Sequence, residues 1–186
     1  MFEQQKIIPA ISSHQDLKQF FKTELTYGIL MNFQLAQLYD LVQEMKAHNK
    51  KILIHSELIK GLASDEYGAI YLIQVLKVDG IISSKPKVIG ICKKRGVLGI
   101  MRFFLKDTYS LQQSIMLAKN VNPDCLEILP AIDATILEEI KTHITSRYLL
   151  GGLITSKQQI ESCLSHGAVA VTVSDVKLWN IQVNNK

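Results

Sequence analysis

Two charged side chains interrupt apolar stretches of this sequence. Arg102 lies within "GIMRFFL" and Glu127 lies within "CLEILP". A buried charge is costly unless it is paired or used, and the two stretches are consecutive predicted strands, so we expect the side chains to meet. They form either an internal ion pair or part of a ligand site, in which Glu127 accepts ligand hydroxyls and Arg102 orients that carboxylate.

A pair of adjacent glycines follows another apolar run. Gly151 and Gly152 lie in "YLLGGLITSKQQI", where Ser156 and Gln159 have the spacing of a capping box at a helix start. Glycine costs a strand or helix about 0.5 to 1 kcal/mol relative to alanine, so the pair needs a structural reason. Either the glycines let backbone amides approach a phosphate, or they only form a tight turn. Ser174, ahead of a second predicted helix start, would add a hydroxyl at the same place.

His55 and Lys85 are further candidates for this site. They belong to "HSE" and "SSK", which end two other apolar runs. Lys85 would suit a phosphate and His55 would line the ligand site; the alternatives are an exposed lysine and a structural histidine. The other histidines lack metal-ligand spacing with Cys, Asp or Glu, so we expect no metal site. We find no Walker motif, nucleophile elbow or dinucleotide-binding glycine motif.

The charge balance is mildly basic. The 186 residues carry a formal net charge of +4, which suits an anionic metabolite or a nucleic acid as partner. Within "KPKVIGICKKRG", Lys93, Lys94 and Arg95 form the densest basic cluster. Such a cluster attracts phosphate backbones, but it is also the usual solvated surface of a basic protein.

The cysteines and the apolar runs indicate the compartment. Cys92, Cys125 and Cys163 are widely spaced among apolar neighbours, so we expect reduced core residues rather than disulfides. The sequence shows neither a signal-peptide pattern at its start nor an apolar run of the ~18 residues needed to span a membrane. We therefore expect a cytoplasmic protein without membrane contact.

These candidates require a scaffold that brings distant strand ends together. Short β-branched runs alternate with amphipathic helical patterns, and continuous apolar strands are typical of parallel sheets covered by helices. Eight strand–helix units predict a closed α/β (β/α)8 barrel of the TIM type, a single domain over 1–186, whereas fewer strands would give an open flavodoxin-like sheet. The predicted strands are Lys6 to Ile11, Tyr27 to Met31, Lys51 to His55, Gly80 to Ser84, Leu98 to Phe104, Cys125 to Leu129, Tyr148 to Gly151 and Ala168 to Ser174.

The length of the chain adds a constraint. Barrels of this type usually begin at about 200 residues, so at least one helix must be minimal, and we expect it at Pro86 to Arg95. In such barrels ligands bind at the carboxyl ends of the strands, where every candidate of the ligand site falls.

Six ordered blocks resemble the glycerol uptake operon antiterminator family: "HSELIKGLASDE", "DGIISSK", "MRFFLKDTYSL", "CLEILPA", "GGLI" and "AVTVSDVKLW". The likeness runs from about Ile7 to Trp179. It implies a barrel that responds to glycerol 3-phosphate and acts on the leader mRNA of glycerol-utilisation genes to prevent premature termination of transcription. Glu57, Ala131 and Val173 depart from the family pattern, which has Asp, Gly and Ser there.

The resemblance carries ligand-binding roles to Lys85, Arg102, Glu127, Gly151, Gly152 and Ser174. We add His55 to the ligand site, and Lys93, Lys94 and Arg95 as candidates for RNA contact. Glycerol 3-phosphate would be an effector rather than a cofactor, and the protein would be a regulator rather than an enzyme. A homo-oligomer is compatible with this interpretation.

Two other functions remain open at this point. A phospho-sugar isomerase, epimerase or synthase could use the same barrel, since fold alone does not decide function. An acid and a base on opposite sides of the ligand would favour such an enzyme, and only Glu127 with His55 or Glu57 offers them. A barrel used only for protein contacts is the third possibility.

Overall fold

Eight parallel strands close into one barrel. The computed structural model describes residues 2, 4–131 and 134–183. Each strand pairs with the next, and β1 pairs with β8 through the register Ile8 to Thr172, which confirms the closed barrel and excludes the open sheet. The strands are β1 (Ile7–Ile11), β2 (Tyr27–Leu30), β3 (Lys51–His55), β4 (Gly80–Ser83), β5 (Leu98–Phe104), β6 (Cys125–Leu129), β7 (Tyr148–Gly151) and β8 (Ala170–Val173).

Seven α-helices lie in the connections within the described ranges. They are α1 (His14–Phe20), α2 (Leu35–Ala47), α3 (Glu66–Ile70), α4 (Pro86–Arg95), α5 (Thr108–Val121), α6 (Ile136–His143) and α7 (Lys157–Ser165). A π-helical turn, Tyr71–Leu76, continues α3, and 3-10 turns occupy Ser56–Leu58 and Val176–Leu178.

The prediction that Pro86 to Arg95 is the minimal helix was wrong. This segment is the regular ten-residue helix α4, with a proline in its first turn and Gly96 in the left-handed region at its end. Proline suits the first helical turn and glycine suits the position after the last, so both ends of α4 are well defined. The shortened helical segments are instead the five-residue α3 and the 3-10 turn that follows β8.

The barrel interior is filled by one apolar layer. Alternate residues of a barrel strand face the interior. The eight strands contribute Ile8, Ile29, Leu53, Ile82, Ile100, Cys125, Leu149 and Ala170, and Phe2 packs on the same cluster. A larger outer core fills the space between strands and helices, and it includes Cys92 and Cys163. The three thiols are free and buried, as expected, and burial raises the pKa of each.

The seam between the last and first strands is covered by the segment that follows β8. Trp179 is buried there and its indole Nε1 donates to the carbonyl of Val173 at 2.9 Å. The indole also meets the ring of Phe20 in α1 edge-on, with 6.4 Å between ring centres. The turn that follows β8 is thereby packed against α1.

Candidate functional site

A polar layer lies on top of the apolar interior. His55, Arg102, Glu127 and Thr172 each follow, by two positions, a residue of the apolar layer, so they face the interior at the carboxyl ends of the strands. We call this end of the barrel the mouth and these four residues the polar layer. The strand ends thus bring His55, Arg102 and Glu127 together, as a ligand site at the mouth requires.

Arg102 bonds to His55 rather than to Glu127. Arg102 and Glu127 are register partners on β5 and β6, so the two residues lie side by side as expected. The guanidinium Nη1 lies 2.7 Å from Nε2 of His55, however, and no ion pair with Glu127 is formed among the described residues. The carboxylate therefore keeps capacity for another partner.

His55 is held neutral by its surroundings. A guanidinium can only donate, so Nε2 must accept and the ring proton must lie on Nδ1. Burial, then the charge of Arg102, lowers the histidine pKa from 6.5 to about 4, although Glu57 acts in the opposite direction. The Oε2 atom of Glu57 is 3.7 Å from Nδ1.

Glu57 joins the loops that follow β3 and β4. Its Oε1 atom accepts from the Ser83 hydroxyl at 3.1 Å, from the Ser84 amide at 2.8 Å and from the Ser84 hydroxyl at 2.7 Å. The Ser83 hydroxyl accepts from the amide of Lys85 at 3.1 Å, at the residue that precedes α4. Lys85 itself is exposed at the mouth. Sequence reasoning identified Glu57 as a family departure and a weak acid–base partner, and missed this tethering role.

Glu127 is a buried carboxyl group at the floor of the mouth. Its exposed fraction is 4%, and burial raises its pKa, while a hydrogen bond from Thr172 and the charge of Arg102 lower it. Thr172 is a site residue that was not predicted from the sequence, because a threonine in "AVTVS" is an ordinary strand residue.

The two glycines have different structural reasons. A Cβ atom on Gly151 would lie 1.9 Å from Oγ1 of Thr172, so only glycine leaves room for that hydroxyl. Gly152 has a φ of +78°, which favours glycine, and it packs on Leu129. The Thr172 side chain of β8 therefore packs directly against Gly151. This contact holds Thr172 beside Glu127.

The segments after β7 and β8 differ from each other. The predicted capping box is confirmed: Ser156 accepts from the Gln159 amide at 3.3 Å, and Gln159 accepts from the Ser156 amide at 3.2 Å. The predicted second helix start is only a 3-10 turn, capped by Asp175. Ser174 is exposed beside it, outside the strand as the structure bounds it. Val173, the family departure, packs in the outer core, so its side chain does not reach the mouth.

Four buried side-chain atoms of the mouth have no hydrogen-bond partner. They are Nδ1 of His55, Oε2 of Glu57, Nε of Arg102 and Oε2 of Glu127; in the rest of the described chain only Oγ of Ser146 shares this property. Buried polar atoms in proteins are nearly always paired, so such a concentration marks a place where a ligand completes the bonding. Two donors and two acceptors there suit a small polar molecule that carries both hydroxyl and anionic groups.

The basic cluster lies at the other end of the barrel. Lys93, Lys94 and Arg95 form the last turn of α4, and a helix that follows a parallel strand runs back toward the amino ends of the strands. All three are exposed, and the ammonium group of Lys93 donates to the carbonyl of Asn122 at 3.2 Å. The structure does not bring them to the mouth.

Two further findings concern metal sites and membrane spans within the described ranges. These residues contain no group of three or more His, Cys, Asp or Glu side chains placed to hold a metal ion. No helix among them is both long and apolar enough to cross a membrane. The polar layer, with its unpartnered atoms, is the main candidate site.

Comparison with solved structures supports the fold and the family. The glycerol uptake operon antiterminator regulatory protein from Listeria monocytogenes str. 4b F2365 is 34% identical, with 96% of each chain covered and a TM-score of 0.93. A glycerol uptake operon antiterminator-related protein from Thermotoga maritima MSB8 is 22% identical, with 97% of this chain and 100% of that chain covered and a TM-score of 0.84. The second likeness bears on the fold alone.

Sequence comparison agrees with the structural one. The Escherichia coli (strain K12) protein YgcP is 24% identical over 181 residues, which is 97% of this chain and 95% of that protein. The family model described as glycerol-3-phosphate responsive antiterminator matches residues 7–179, nearly the whole chain. This chain therefore belongs to the glycerol-3-phosphate responsive antiterminator family.

Proposed function

We propose that the protein binds glycerol 3-phosphate at the mouth and, in response, binds the leader mRNA of glycerol-utilisation genes, so that transcription continues past a terminator. The observation that carries the proposal is the buried, incompletely bonded polar layer in a member of this family. A glycerol phosphate supplies the hydroxyl groups and the anion that these atoms lack.

The proposed roles follow from the chemistry of each group. Glu127 accepts the glycerol hydroxyls through Oε2, and His55 donates from Nδ1. Arg102 holds His55 through Nη1 and donates to the ligand from Nε, while Lys85, exposed at the mouth, attracts the phosphate. Gly151, Gly152 and Ser174 line the same opening at the ends of β7 and β8.

The RNA contact has two kinds of support. The net charge of +4 favours a polyanion, and Lys93, Lys94 and Arg95 are exposed, so they can reach phosphates. We propose that this cluster contributes sequence-independent backbone contacts. The protein would work in the cytoplasm as a regulator without turnover, as a single barrel domain that is able to form a homo-oligomer.

The metabolite part is tested by thermal unfolding with glycerol 3-phosphate, glycerol or inorganic phosphate. A ligand that binds only the folded state raises the unfolding free energy by RT ln(1 + [L]/Kd), about 2.7 kcal/mol at a hundredfold excess over Kd. Glycerol 3-phosphate should raise the melting temperature most. Equal shifts with glycerol and with its phosphate would contradict a site built around the phosphate.

The RNA part is tested by incubating the pure protein with a leader transcript, with and without glycerol 3-phosphate. A gel shift that depends on glycerol 3-phosphate, with the metabolite recovered intact, supports the proposal. Conversion of the metabolite would instead indicate the phospho-sugar enzyme. Neither binding nor conversion would point to a barrel used for protein contacts.

A further inference from the structure

An aromatic side chain flanked by cations projects from the edge of the mouth. Phe104 ends β5 and is 49% exposed, and Tyr109, in the first turn of α5, is 69% exposed. Lys106 lies between them in the chain and is exposed as well. We call Phe104, Lys106 and Tyr109 the Phe104 rim.

Two cations lie near the ring of Phe104. The guanidinium carbon of Arg102 is 5.4 Å and the ammonium nitrogen of Lys106 is 5.7 Å from the ring centre. Asp107, an acid that follows Lys106 in the chain, is engaged in capping α5, since its carboxylate accepts from the Ser110 amide at 2.7 Å. Cations near the face of an exposed ring favour a partner that combines flat rings with negative charge.

A cavity of about 320 Å³ opens beside the rim. Its apolar lining comes from Leu105, Leu111, Pro130 and Ile136, and its polar lining comes from Lys106, Asp107, Thr108 and Glu139. An apolar recess beside an exposed ring offers room for a flat group that has left its own stack.

We propose that the Phe104 rim binds an unpaired segment of RNA, with a base stacked on Phe104 or Tyr109 and a phosphate held by Lys106. This inference rests on the proposed function and specifies which face reads the RNA. Unpaired bases expose the ring faces that aromatic side chains need, whereas bases within a duplex do not. The basic cluster of Lys93, Lys94 and Arg95 would add contacts to the RNA backbone at the opposite end of the barrel.

Arg102 connects the rim to the metabolite site. Its guanidinium bonds to His55 in the polar layer and also lies near the ring of Phe104 at the edge of the mouth. A metabolite that recruits the unpartnered Nε atom changes the position or mobility of this group, and with it the cation beside Phe104. Because coupling between two sites is reciprocal, RNA bound at the rim tightens metabolite binding by the same factor.

The test measures binding of a leader transcript, and of single-stranded and duplex versions of one short segment, in filter-binding assays with glycerol 3-phosphate present. The variants are Phe104→Leu and Tyr109→Leu, which remove a ring but keep an apolar side chain. The matched control is Tyr39→Leu, since Tyr39 is 55% exposed on α2, away from the rim. Melting temperatures verify that each variant is folded.

We expect the wild-type protein to prefer the single strand. Phe104→Leu or Tyr109→Leu should weaken that binding about tenfold, a typical loss for one stacked base, while Tyr39→Leu should change it by less than about twofold. Lys106→Gln should weaken binding and reduce its salt dependence.

Three outcomes would overturn the inference. If the wild type binds the transcript and both leucine variants bind it equally well, the rim is the wrong face, although the proposed function stands. If the leucine variants change only the sedimentation of the protein, the rim is a contact between copies of the chain. If the wild type binds no RNA with or without glycerol 3-phosphate, the proposed function fails, and the rim inference fails with it.

Discussion

The two ends of the barrel differ in how their polar side chains are hydrogen-bonded. At the amino ends of the strands, which we call the base, acidic and amide side chains bond to strand backbones. Asp79 accepts from the Ile52 amide at 2.8 Å and pairs with Lys51 at 3.1 Å, and Asp124 accepts from the Gly99 amide at 2.9 Å. At the mouth, by contrast, four buried atoms lack partners.

Gln5 shows how a side chain at the base bonds to the strand backbones. Its amide nitrogen donates to the carbonyls of Ile7 and Tyr27 at 2.7 and 2.8 Å, and its oxygen accepts from the amides of Thr26 and Tyr27, both at 2.8 Å. Pro9 in β1 has no N–H to offer a neighbouring strand, so a side-chain donor between β1 and β2 is well placed.

The contrast separates the residues that hold the barrel from those that serve a ligand. A fully paired polar group stabilises the fold, whereas a buried charge without a full set of partners reduces stability and is retained for another reason. Removing an unpaired buried charge at the mouth and removing a paired charge at the base should therefore change stability in opposite directions.

The largest effect is expected where the mouth is most tightly packed. Gly151→Ala places a Cβ atom against the Thr172 hydroxyl and should lower the unfolding free energy by about 3 kcal/mol, measured by urea denaturation. Gly90→Ala is the control, because a Cβ atom there meets nothing within 4 Å and a helix interior favours alanine by about 1 kcal/mol. It should be stabilising.

The source of that clash can be examined separately. In a Thr172→Ala background, the Oγ1 atom is gone, and Gly151→Ala should cost less than it does in the wild type. Equal costs in both backgrounds would mean that the remaining contacts, with the Cβ atom of residue 172 at 3.2 Å and its carbonyl at 3.3 Å from the added atom, decide the effect.

The second effect is a loss of stability in acid that originates at the mouth. The pKa of His55 is lowered from its ordinary value of 6.5 to about 4 in the folded protein. The neutral histidine therefore makes its full contribution to stability at a pH above 6.5. This contribution, on the order of 3 kcal/mol, should be lost as the pH falls from about 6.5 through 4.

Other mouth groups modify that profile. The raised pKa of Glu127 acts in the opposite sense, since it favours the folded state as the pH falls toward 4.5. Arg102 and Glu57 face the imidazole. Subtracting the profile of His55→Asn from that of the wild type isolates the histidine; a difference that does not vary between pH 7 and pH 4 would contradict the assignment.

The third effect compares one acid from each end. Glu127→Gln removes a charge that burial disfavours and should raise the melting temperature while weakening glycerol 3-phosphate binding. Asp79→Asn removes a charge that bonds to a strand amide and to Lys51, and should cost about 1 to 2 kcal/mol with binding retained. Two variants that shift stability in the same direction would remove the distinction between mouth and base.

The smallest effect concerns the basic cluster. Replacing Lys93, Lys94 and Arg95 together by alanine should leave stability and metabolite affinity nearly unchanged, because all three are exposed. RNA binding should weaken, and the slope of log K against log salt should fall by about 0.9 for each phosphate that the variant no longer neutralises. Lys18→Ala/Lys22→Ala, which changes one lysine in α1 and one just after it, is the charge control, and an equal weakening per charge there would indicate a non-specific surface effect.

The barrel could be predicted because its signals are local. Apolar runs of strand length alternate with helical periodicity, and counting them predicts the topology. Helix lengths were harder, because the brevity of α3 depends on the π-helical turn Tyr71–Leu76 that continues it, and no sequence pattern marked that turn.

The site was predictable only in part. Arg102 and Glu127 stand out because charges are rare in buried strands, and both lie where the polar layer forms. The bond between Arg102 and His55 joins β5 to β3, two strands that are not neighbours, so only the curvature of the closed barrel creates it. Thr172 and Glu57 have side chains common in strands and loops, and their roles depend on partners that are distant in the sequence, Gly151 and Ser83.

Trp179 is the only tryptophan of the chain, and it lies where the last strand meets the first helix. Its buried, hydrogen-bonded indole gives the protein a built-in fluorescent reporter of barrel closure. Opening of the seam between β8 and β1 separates Trp179 from α1 and exposes the indole to water. This exposure shifts the emission of the indole to longer wavelength. The closure of this seam during refolding can thus be followed without any added label.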